Sequence, residues 1–314
     1  MSTLTTTSST ASATSTSALS LIGVGRMGAA LARAFCQGGH AVTAWSRDLG
    51  KVQALAPVGV QAAASLADAI AASDVIVVCI MGYDAWHTLL HTLPEGALRG
   101  KTIVQLSTGA ADEALALAAL HAQLGADGLD GSIDSYPSDI DAGKGSLRIA
   151  GDAAVFERVS GLLACLGAVK HVGTPIATAA ALENASVFFT AAAFMGYFQG
   201  AAMFDKLGLP LQAWTATVCE LMPARADWLQ AMEAAMLAHE HRGSDATLET
   251  FQATWTQMIG QARRLNLRSD FIESIEQLTR EAIARGWGEQ EFSAHYELLR
   301  TPTLTGATDG TQTH

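Results

Sequence analysis

Residues 19–39 read LSLIGVGRMGAALARAFCQGG: a short apolar run, a glycine turn and a helix-like segment follow one another. Gly23, Gly25 and Gly28 match the G-x-G-x-x-G pattern, which indicates a dinucleotide site when it joins a strand to a helix. The first glycine permits the tight turn, the second lets a pyrophosphate touch the backbone, and the third lets helix and strand pack closely. The stretch therefore predicts the start of a Rossmann-like domain. The alternative is a glycine turn that binds no ligand.

The second predicted strand, residues 40–45, indicates which dinucleotide is bound. It ends in Ser46 and Arg47, and Lys51 follows one helical turn later. NAD enzymes usually place an acid here for the ribose 2′-hydroxyl, whereas arginine accommodates the 2′-phosphate of NADP. The pattern favours NADPH, although Asp48 opposes this preference; alternatively, the two basic residues are only solvated surface charges. The predicted cofactor contacts are Gly23, Gly25, Arg26, Met27, Gly28, Ser46, Arg47, Lys51, Met81, Ser107 and Thr108.

Strands and helices continue to alternate as far as residue 172. The predicted helices are 60–72, 84–93, 112–124 and 156–166. The predicted strands are 74–81, 101–106, 128–133, 147–150 and 170–172, and 134–145 is a predicted loop. This alternation predicts a doubly wound α/β domain with a mixed sheet. Ligands of such sheets lie beyond the carboxyl ends of the strands, so Met81, Tyr83, Ser107 and Thr108 are expected along one crevice.

An apolar, alanine-rich segment follows at residues 177–204, and its one charged residue is Glu183. The segment is long enough for a membrane span. Its many small residues, and its position after a complete nucleotide-binding pattern, favour instead the buried helix of a soluble assembly, covered by helices of a second subunit. Five more helices are predicted, at 211–219, 224–239, 248–265, 270–285 and 290–299.

Composition limits the classes of protein that fit. The chain has 314 residues, of which 49% are apolar, and a net charge of −11, which argues against nucleic acid and anionic membranes as partners. Its four cysteines lie far apart without metal-ligand spacing, so they are expected to be reduced and buried in a cytoplasmic protein, and no metal site is predicted. His239 and His241 are interpreted as parts of a solvated turn.

The predicted organisation has five parts. The N-terminal segment is rich in Ser, Thr and Ala and lacks the apolar region of a secretory signal, so it is expected to be a disordered tail. The parts are a disordered tail at 1–18, an NADP(H)-binding Rossmann domain at 19–175, an interdomain helix at 176–204, an all-α dimerisation and substrate domain at 205–300, and a second disordered tail at 301–314.

Several motifs resemble those of the imine reductases and reductive aminases, which are related to the β-hydroxyacid dehydrogenases. They are the glycine turn with Met27-Gly28, WSRD at 45–48 with Lys51, CIMGY at 79–83, VQLSTG at 104–109 and LDGSIDSYPSDI at 129–140. The resemblance covers about residues 19–300. It implies a domain-swapped homodimer that uses NADPH to reduce C=N bonds by hydride transfer, acting on cyclic or preformed imines or on a ketone plus an amine.

The chain departs from the β-hydroxyacid dehydrogenases at two places. Those enzymes carry a D-A-P-V-S-G-G loop that binds a carboxylate, where this chain has DGSIDSY at 130–136. They also carry a catalytic lysine early in the interdomain helix, and no lysine occurs here between Lys170 and Lys206. An alcohol-oxidising enzyme of that type therefore remains only an alternative, as does a non-catalytic NADPH-binding sensor.

In imine reductases the corresponding helix position usually holds Asp or Tyr, and ungapped counting places Glu183 there. The resemblance implies that Glu183 donates a proton or anchors a cation; the alternative is a salt-bridged structural acid. An aromatic residue that the family carries two turns later would fall at Ala191, whose small side chain leaves room for a bulkier substrate. The predicted substrate contacts are Tyr136, Asn184, Ala191, Met222 and Trp228, although Met and Trp at helical spacing more often belong to a core.

Overall fold

The computed structural model describes residues 17–242 and 246–301. Almost all of the two predicted tails therefore lies outside the described residues. The chain divides into two compact units, with the boundary between Phe188 and Phe189. The predicted interdomain helix contains this boundary, and the five-part division of the chain stays a prediction.

The first unit is built on an eight-stranded sheet with the order β3-β2-β1-β4-β5-β6-β7-β8. All neighbouring strands are parallel except β6 and β7, which are antiparallel, so the predicted mixed α/β sheet is confirmed. The strands are β1 Ala18–Ile22, β2 Ala41–Trp45, β3 Gln61–Ala62, β4 Val75–Val78, β5 Thr102–Gln105, β6 Asp127–Ile133, β7 Gly145–Gly151 and β8 Gly167–His171.

Helices cover both faces of this sheet. Leu21, Leu31 and Phe35 belong to the core on one face, while Ile76 and Trp86 belong to the core on the other. The helices of this unit are α1 Arg26–Gln37, α2 Leu49–Gln53, α3 Leu66–Ala71, α4 Tyr83–Leu90, α5 Ala111–Gln123, α6 Pro137–Asp141 and α7 Ala153–Leu163. Because the buried strands have apolar residues on both faces, they appear in the sequence as continuous apolar runs.

Two local predictions in this unit are wrong. The predicted helix at 60–72 is instead the short strand β3 followed by α3, because the Ser65 hydroxyl accepts the Asp68 N–H and starts the helix there. The predicted loop at 134–145 contains α6. Pro137 is in its first turn, and the Asp139 carboxylate accepts the N–H of Tyr136.

The second unit is helical, as predicted. Helix α8, Ala177–Lys206, begins in the first unit and is followed by α9 Leu211–Ala238, α10 Leu248–Arg264, α11 Asp270–Ala282 and α12 His295–Leu299. Two helices are predicted between 211 and 239, joined by a short turn. The structure has a single helix there with Pro223 inside it.

Helix α8 is long and apolar enough to cross a membrane by length and composition, a test that the core helices of soluble proteins also pass. Only Ala179 and Ala180 of this helix are buried within the single chain. Large apolar side chains are exposed along the rest of it, namely Val187, Phe188, Phe189, Phe194, Met195 and Phe198. Most of this helix is therefore exposed in the single chain, and its burial by a second subunit stays a prediction.

Two expectations about polar and sulfur-containing residues need correction. The four cysteines are free, but none is fully buried, and Cys219 is exposed. His241 does not lie in a solvated turn, because its buried ring contacts the Ser293 hydroxyl at 3.0 Å and the Glu297 carboxylate at 3.3 Å. Within the described parts of the chain, no group of three or more His, Cys, Asp or Glu residues is arranged to hold a metal ion.

Candidate active site

The glycine turn connects β1 to α1, and its glycines are needed for different reasons. Gly23 has a φ of +99°, and a Cβ atom there would overlap the carbonyl oxygen of Cys79. A Cβ at Gly28 would overlap the carbonyl oxygen of Gly23. Gly25, directly before α1, has no atom within 4 Å of the position where its Cβ would be. Gly23 and Gly28 therefore allow close packing, whereas Gly25 leaves open space in front of the helix.

This open space is part of a cleft of about 660 Å³ within the first unit. Nine of the eleven predicted cofactor contacts line it, while Ser107 and Thr108 do not. The lining residues are Gly23, Val24, Gly25, Arg26, Met27, Gly28, Trp45, Ser46, Arg47, Lys51, Cys79, Ile80, Met81, Ala85, Thr88 and Leu89. Ala85, Thr88 and Leu89 were missed by the sequence reasoning; they follow one face of α4, which only the packed structure brings to the cleft.

The cleft has the features that a phosphorylated dinucleotide needs. The N–H groups of the first turn of α1 face the space at Gly25, and a helix N-terminus attracts phosphate groups. Ser46, Arg47 and Lys51 line the same cleft where β2 ends. Lys51 also lies 3.6 Å from the Asp48 carboxylate, and both side chains are mostly exposed. The residues present therefore fit NADPH, with Asp48 offsetting part of the positive charge.

Glu183 is held by the loop that follows β5. Its Oε1 accepts a hydrogen bond of 2.9 Å from the Thr108 hydroxyl, and the neighbouring Asn184 amide donates to the Gly109 carbonyl oxygen at 3.2 Å. Ser107 is buried, and its hydroxyl accepts the N–H of Ile80 at 3.0 Å. Because Ile80 also lines the cleft, Ser107 connects the loop that holds Glu183 to the cleft wall.

The surroundings of Glu183 favour its protonated form. Partial burial raises its pKa, the Thr108 hydrogen bond opposes this rise, and the negative charge of Asp134 adds to it. Among the described residues, no Lys, Arg or His side chain forms a salt bridge with Glu183. A half-buried acid with a raised pKa and no cationic partner has the properties of a proton donor.

A second acid, Asp130, was not identified from the sequence as a site residue. It lies on β6, is 3% exposed and accepts a hydrogen bond from the Tyr83 hydroxyl. Burial raises its pKa to about 6. Burial and the neighbouring carboxylates raise the pKa of Tyr83 as well, so the phenol stays protonated and donates. No local pattern in the sequence identifies this pair, because β6 reads DGLDGSI and holds a second acid, Asp127.

Of the remaining predicted substrate contacts, Tyr136 lies in the first unit and is 74% exposed before α6. Ala191, Met222 and Trp228 belong to the second unit, where all three are exposed and the guanidinium of Arg225 lies 3.9 Å from the centre of the Trp228 ring. Their role in substrate binding stays a prediction.

Two family models together match most of the chain. The NAD binding domain of 6-phosphogluconate dehydrogenase matches residues 18–175. The C-terminal domain described as NADPH-dependent reductive aminase-like matches residues 176–301. A curated relative, the NADPH-dependent reductive aminase of Aspergillus oryzae, is 26% identical over 296 residues, which are 90% of this chain and 97% of that protein.

Solved structures are similar over the same length. An imine reductase from Myxococcus stipitatus in complex with NADP+ is 30% identical, with a TM-score of 0.81, and the match covers 90% of this chain and 100% of that one. A reductive aminase from Aspergillus terreus in complex with NADPH4, cyclohexanone and allyl amine is 25% identical, with a TM-score of 0.83 and coverage of 91% and 100%. With its dinucleotide cleft and the acid at the start of α8, the chain belongs to the imine reductase and reductive aminase family.

Proposed function

We propose that this protein is an NADPH-dependent imine reductase that transfers a hydride to the carbon of a C=N bond. Its substrates are cyclic or preformed imines, and a ketone plus an amine where the imine forms in the site. The observation that carries the proposal is the position of Glu183. It is a half-buried acid that forms no salt bridge with any residue the structure describes, and Thr108 and Ser107 connect it to the wall of the cleft that fits NADPH.

The chemistry explains why an acid is needed. NADPH supplies the hydride when bound, and a C=N carbon accepts a hydride readily only when its nitrogen is protonated. In this proposal Glu183 gives that proton and then, as a carboxylate, attracts the positive charge that remains on nitrogen. Thr108 bonds to Oε1 and leaves Oε2 for the substrate. The Thr108 and Asn184 hydrogen bonds would fix the direction of the acid, which matters because misplacement lowers rates steeply.

The binding of NADPH is assigned to the turn and to the end of β2. The backbone N–H groups after Gly25 hold the pyrophosphate, while Ser46, Arg47 and Lys51 hold the 2′-phosphate. The partial neutralisation of Lys51 by Asp48 leaves Arg47 as the main source of the preference for NADPH over NADH. An oxidation of hydroxyacids is disfavoured, because α8 has no lysine before Lys206.

We further propose that the protein works as a homodimer in the cytoplasm. The exposed apolar side chains of α8 and α9, such as Phe188, Phe198 and Trp228, would be covered by the helices of a second subunit. The helices of one subunit would then complete the substrate site beside the nucleotide domain of the other. Light scattering at micromolar concentration tests this assembly, and a sharp monomer mass would contradict it.

The function is tested by following the near-ultraviolet absorbance of NADPH. A substituted pyrroline or a dihydroisoquinoline is supplied with NADPH, and a 3-hydroxyacid is supplied with NADP+ in a parallel assay. Loss of NADPH with the imine alone is the expected result. Turnover of the hydroxyacid alone would contradict the proposal, and NADPH binding without turnover on a broad imine panel would indicate a sensor.

A further inference from the structure

The loop that follows β5 holds both polar residues near the start of α8. The Thr108 hydroxyl donates to Oε1 of Glu183 at 2.9 Å, and the Gly109 carbonyl oxygen accepts from the side-chain amide of Asn184 at 3.2 Å. Both contacts depend on the position of the loop backbone, because a threonine hydroxyl and a carbonyl oxygen lie close to the main chain. The position of this loop therefore decides the direction of the Glu183 carboxyl group.

One side of the loop lies against the ring of Tyr83. A Cβ atom added to Gly109 would lie 2.7 Å from Cδ2 of Tyr83 and 2.8 Å from both Cδ1 and Cγ, closer than real Cβ atoms come. Three nearly equal distances to a planar ring mean that this atom would lie over the flat face of the ring. The φ of Gly109 is not positive, so the ring, and not the backbone conformation, excludes a side chain here.

Tyr83 is itself fixed at both ends. Its main chain begins α4 directly after Gly82, whose φ of +83° is a conformation that favours glycine. Its hydroxyl donates to the Asp130 carboxylate on β6. The side chain is 4% exposed, in a core that also contains Trp86 and Ala180. Because protein cores are closely packed, a ring held in this way cannot move aside without displacing its neighbours.

Helix α4, which Tyr83 begins, also forms part of the cofactor cleft. Ala85, Thr88 and Leu89 line the cleft, whereas Tyr83 and Trp86 are buried in the core. The same helix therefore carries a wall of the cofactor cleft and, at its first residue, the support of the loop that holds the acid. Hydride transfer with protonation requires the cofactor and the proton donor to be aligned, and one rigid element that contacts both sites suits this requirement.

We propose that Tyr83 is a positioning residue for Glu183. Its ring, held by its hydroxyl and by the start of α4, sets the position of Gly109 and thereby that of the loop after β5. Gly109 contributes by letting the backbone approach the ring. The inference rests on the proposed function in one respect, that Glu183 is the proton donor. A displaced loop would redirect Glu183 and Asn184, so turnover would fall while NADPH still binds.

The position of the loop can be measured without substrate at the side chain of Asn184. The chain contains two asparagines, Asn184 and Asn266, so protein labelled with ¹⁵N-asparagine gives two side-chain amide groups in an NMR spectrum. Asn266→Asp assigns them. Asn266 is exposed in the second unit and serves as the internal reference. We expect Gly109→Ala, whose methyl group would collide with the Tyr83 ring, to shift the Asn184 signals and to leave those of Asn266 unchanged.

Tyr83→Phe is the more specific variant. It keeps the ring but removes the bond to Asp130, so a change at Asn184 must be transmitted by the ring and the loop. We expect a shift of the Asn184 signals that is smaller than in Gly109→Ala. Gly161→Ala on α7, where the surroundings are open, is the matched control and should leave both asparagines unchanged. Unchanged Asn184 signals in either variant would overturn the inference, so Tyr83→Phe decides alone if Gly109→Ala does not fold.

Kinetics separate a positioning role from a purely structural one. In Gly109→Ala we expect kcat to fall at least about tenfold, while the Kd for NADPH changes by less than about threefold. A purely structural role would lower the Tm and leave the kcat of the folded enzyme unchanged, which would overturn the connection to Glu183. The NMR measurement needs no turnover. If the Asn184 signals shift as expected but Glu183→Gln reduces imines normally, the acid role falls and the support of the loop by Tyr83 stands.

Discussion

The two glycines at the start of α1 should separate cofactor binding from folding. Gly25 has φ −78° and ψ −167°, an extended conformation that alanine adopts readily, and its surroundings are open. We expect Gly25→Ala to leave the free energy of unfolding unchanged or to raise it by up to about 1 kcal/mol, because alanine restricts the unfolded chain. The added methyl group would occupy the space in front of the helix that the pyrophosphate needs.

Gly28 is in the opposite situation. A Cβ there would lie well inside 3.0 Å of the Gly23 carbonyl oxygen, a backbone atom that cannot rotate away. Overpacking of this kind typically lowers stability by 1–3 kcal/mol, and the rigid neighbour places Gly28→Ala at about 3 kcal/mol. The strand β1 and the helix α1 would have to move apart, so NADPH binding should be lost as well.

Thermal unfolding and calorimetric titration with NADPH measure the two effects separately. For Gly25→Ala the Kd for NADPH should rise at least about tenfold, which corresponds to about 1.4 kcal/mol, with the Tm of the free protein unchanged or raised. Gly161→Ala on α7 is the control, since its surroundings are equally open but it does not line the cleft. An unchanged Kd in Gly25→Ala, or an unchanged Tm in Gly28→Ala, would refute this account of the turn.

The remaining predictions concern charge. Glu183→Gln should lower kcat at least about tenfold without changing the Kd for NADPH, and near-normal turnover would exclude the acid role. Thr108→Val removes a hydrogen bond that favours the charged form of Glu183, so the decline of kcat should shift to higher pH; a shift to lower pH would contradict this. Arg47→Ala should raise the Kd for NADPH at least about tenfold but leave that for NADH nearly unchanged, and equal losses for both would refute the assignment to the 2′-phosphate. The pKa of Asp130 is about 6 in the folded protein against 3.8 ordinarily, so the fold favours the protonated carboxyl group. The free energy of unfolding gains from this group at low pH, and the gain is lost as the pH rises through about 6. Unfolding experiments should therefore show Asp130→Asn gaining up to about 3 kcal/mol relative to the unsubstituted protein between about pH 4 and pH 7, and no relative gain would contradict the buried acid.

The sequence predicted those parts of the fold that depend on local patterns. The glycine turn, the buried parallel strands and the helical second unit follow from residue periodicity and from the need of Gly23 and Gly28 for close packing. Nine of the predicted cofactor contacts line the cleft, because parallel strands place a ligand cleft at their carboxyl ends and the sequence shows where each strand ends.

Other features depend on contacts between distant residues. The helix-like composition at 60–72 did not show that Gln61 and Ala62 pair with β2, so the helix begins only at Leu66. The two helices predicted between 211 and 239 are one helix, α9, which contains Pro223 and tolerates the one backbone hydrogen bond that a proline cannot make. The Tyr83–Asp130 pair joins residues 47 positions apart, and no local pattern predicts that a phenol meets a buried acid.

The hydrogen-bond partners of Thr108 and Ser107 also depend on residues that are far away in the sequence. Both were expected to contact the cofactor because they follow β5. In the structure Thr108 bonds to Glu183, and Ser107 bonds to the backbone of Ile80, while their contact with the cofactor stays a prediction. The sequence predicted that both residues place a hydroxyl group at the edge of the sheet. Their partners depend on how α8 approaches the sheet, which composition does not determine.

Delivery of a hydride from NADPH to the carbon of a C=N bond can be observed with isotope-labelled cofactor. The most direct measurement uses NADPH that carries deuterium at the transferable position, a cyclic imine, and mass spectrometry with NMR of the amine formed. We expect one deuterium on the carbon that belonged to the C=N bond, and much slower formation of this product by Glu183→Gln. Amine that contains no deuterium, or NADPH that is consumed without amine, would contradict it.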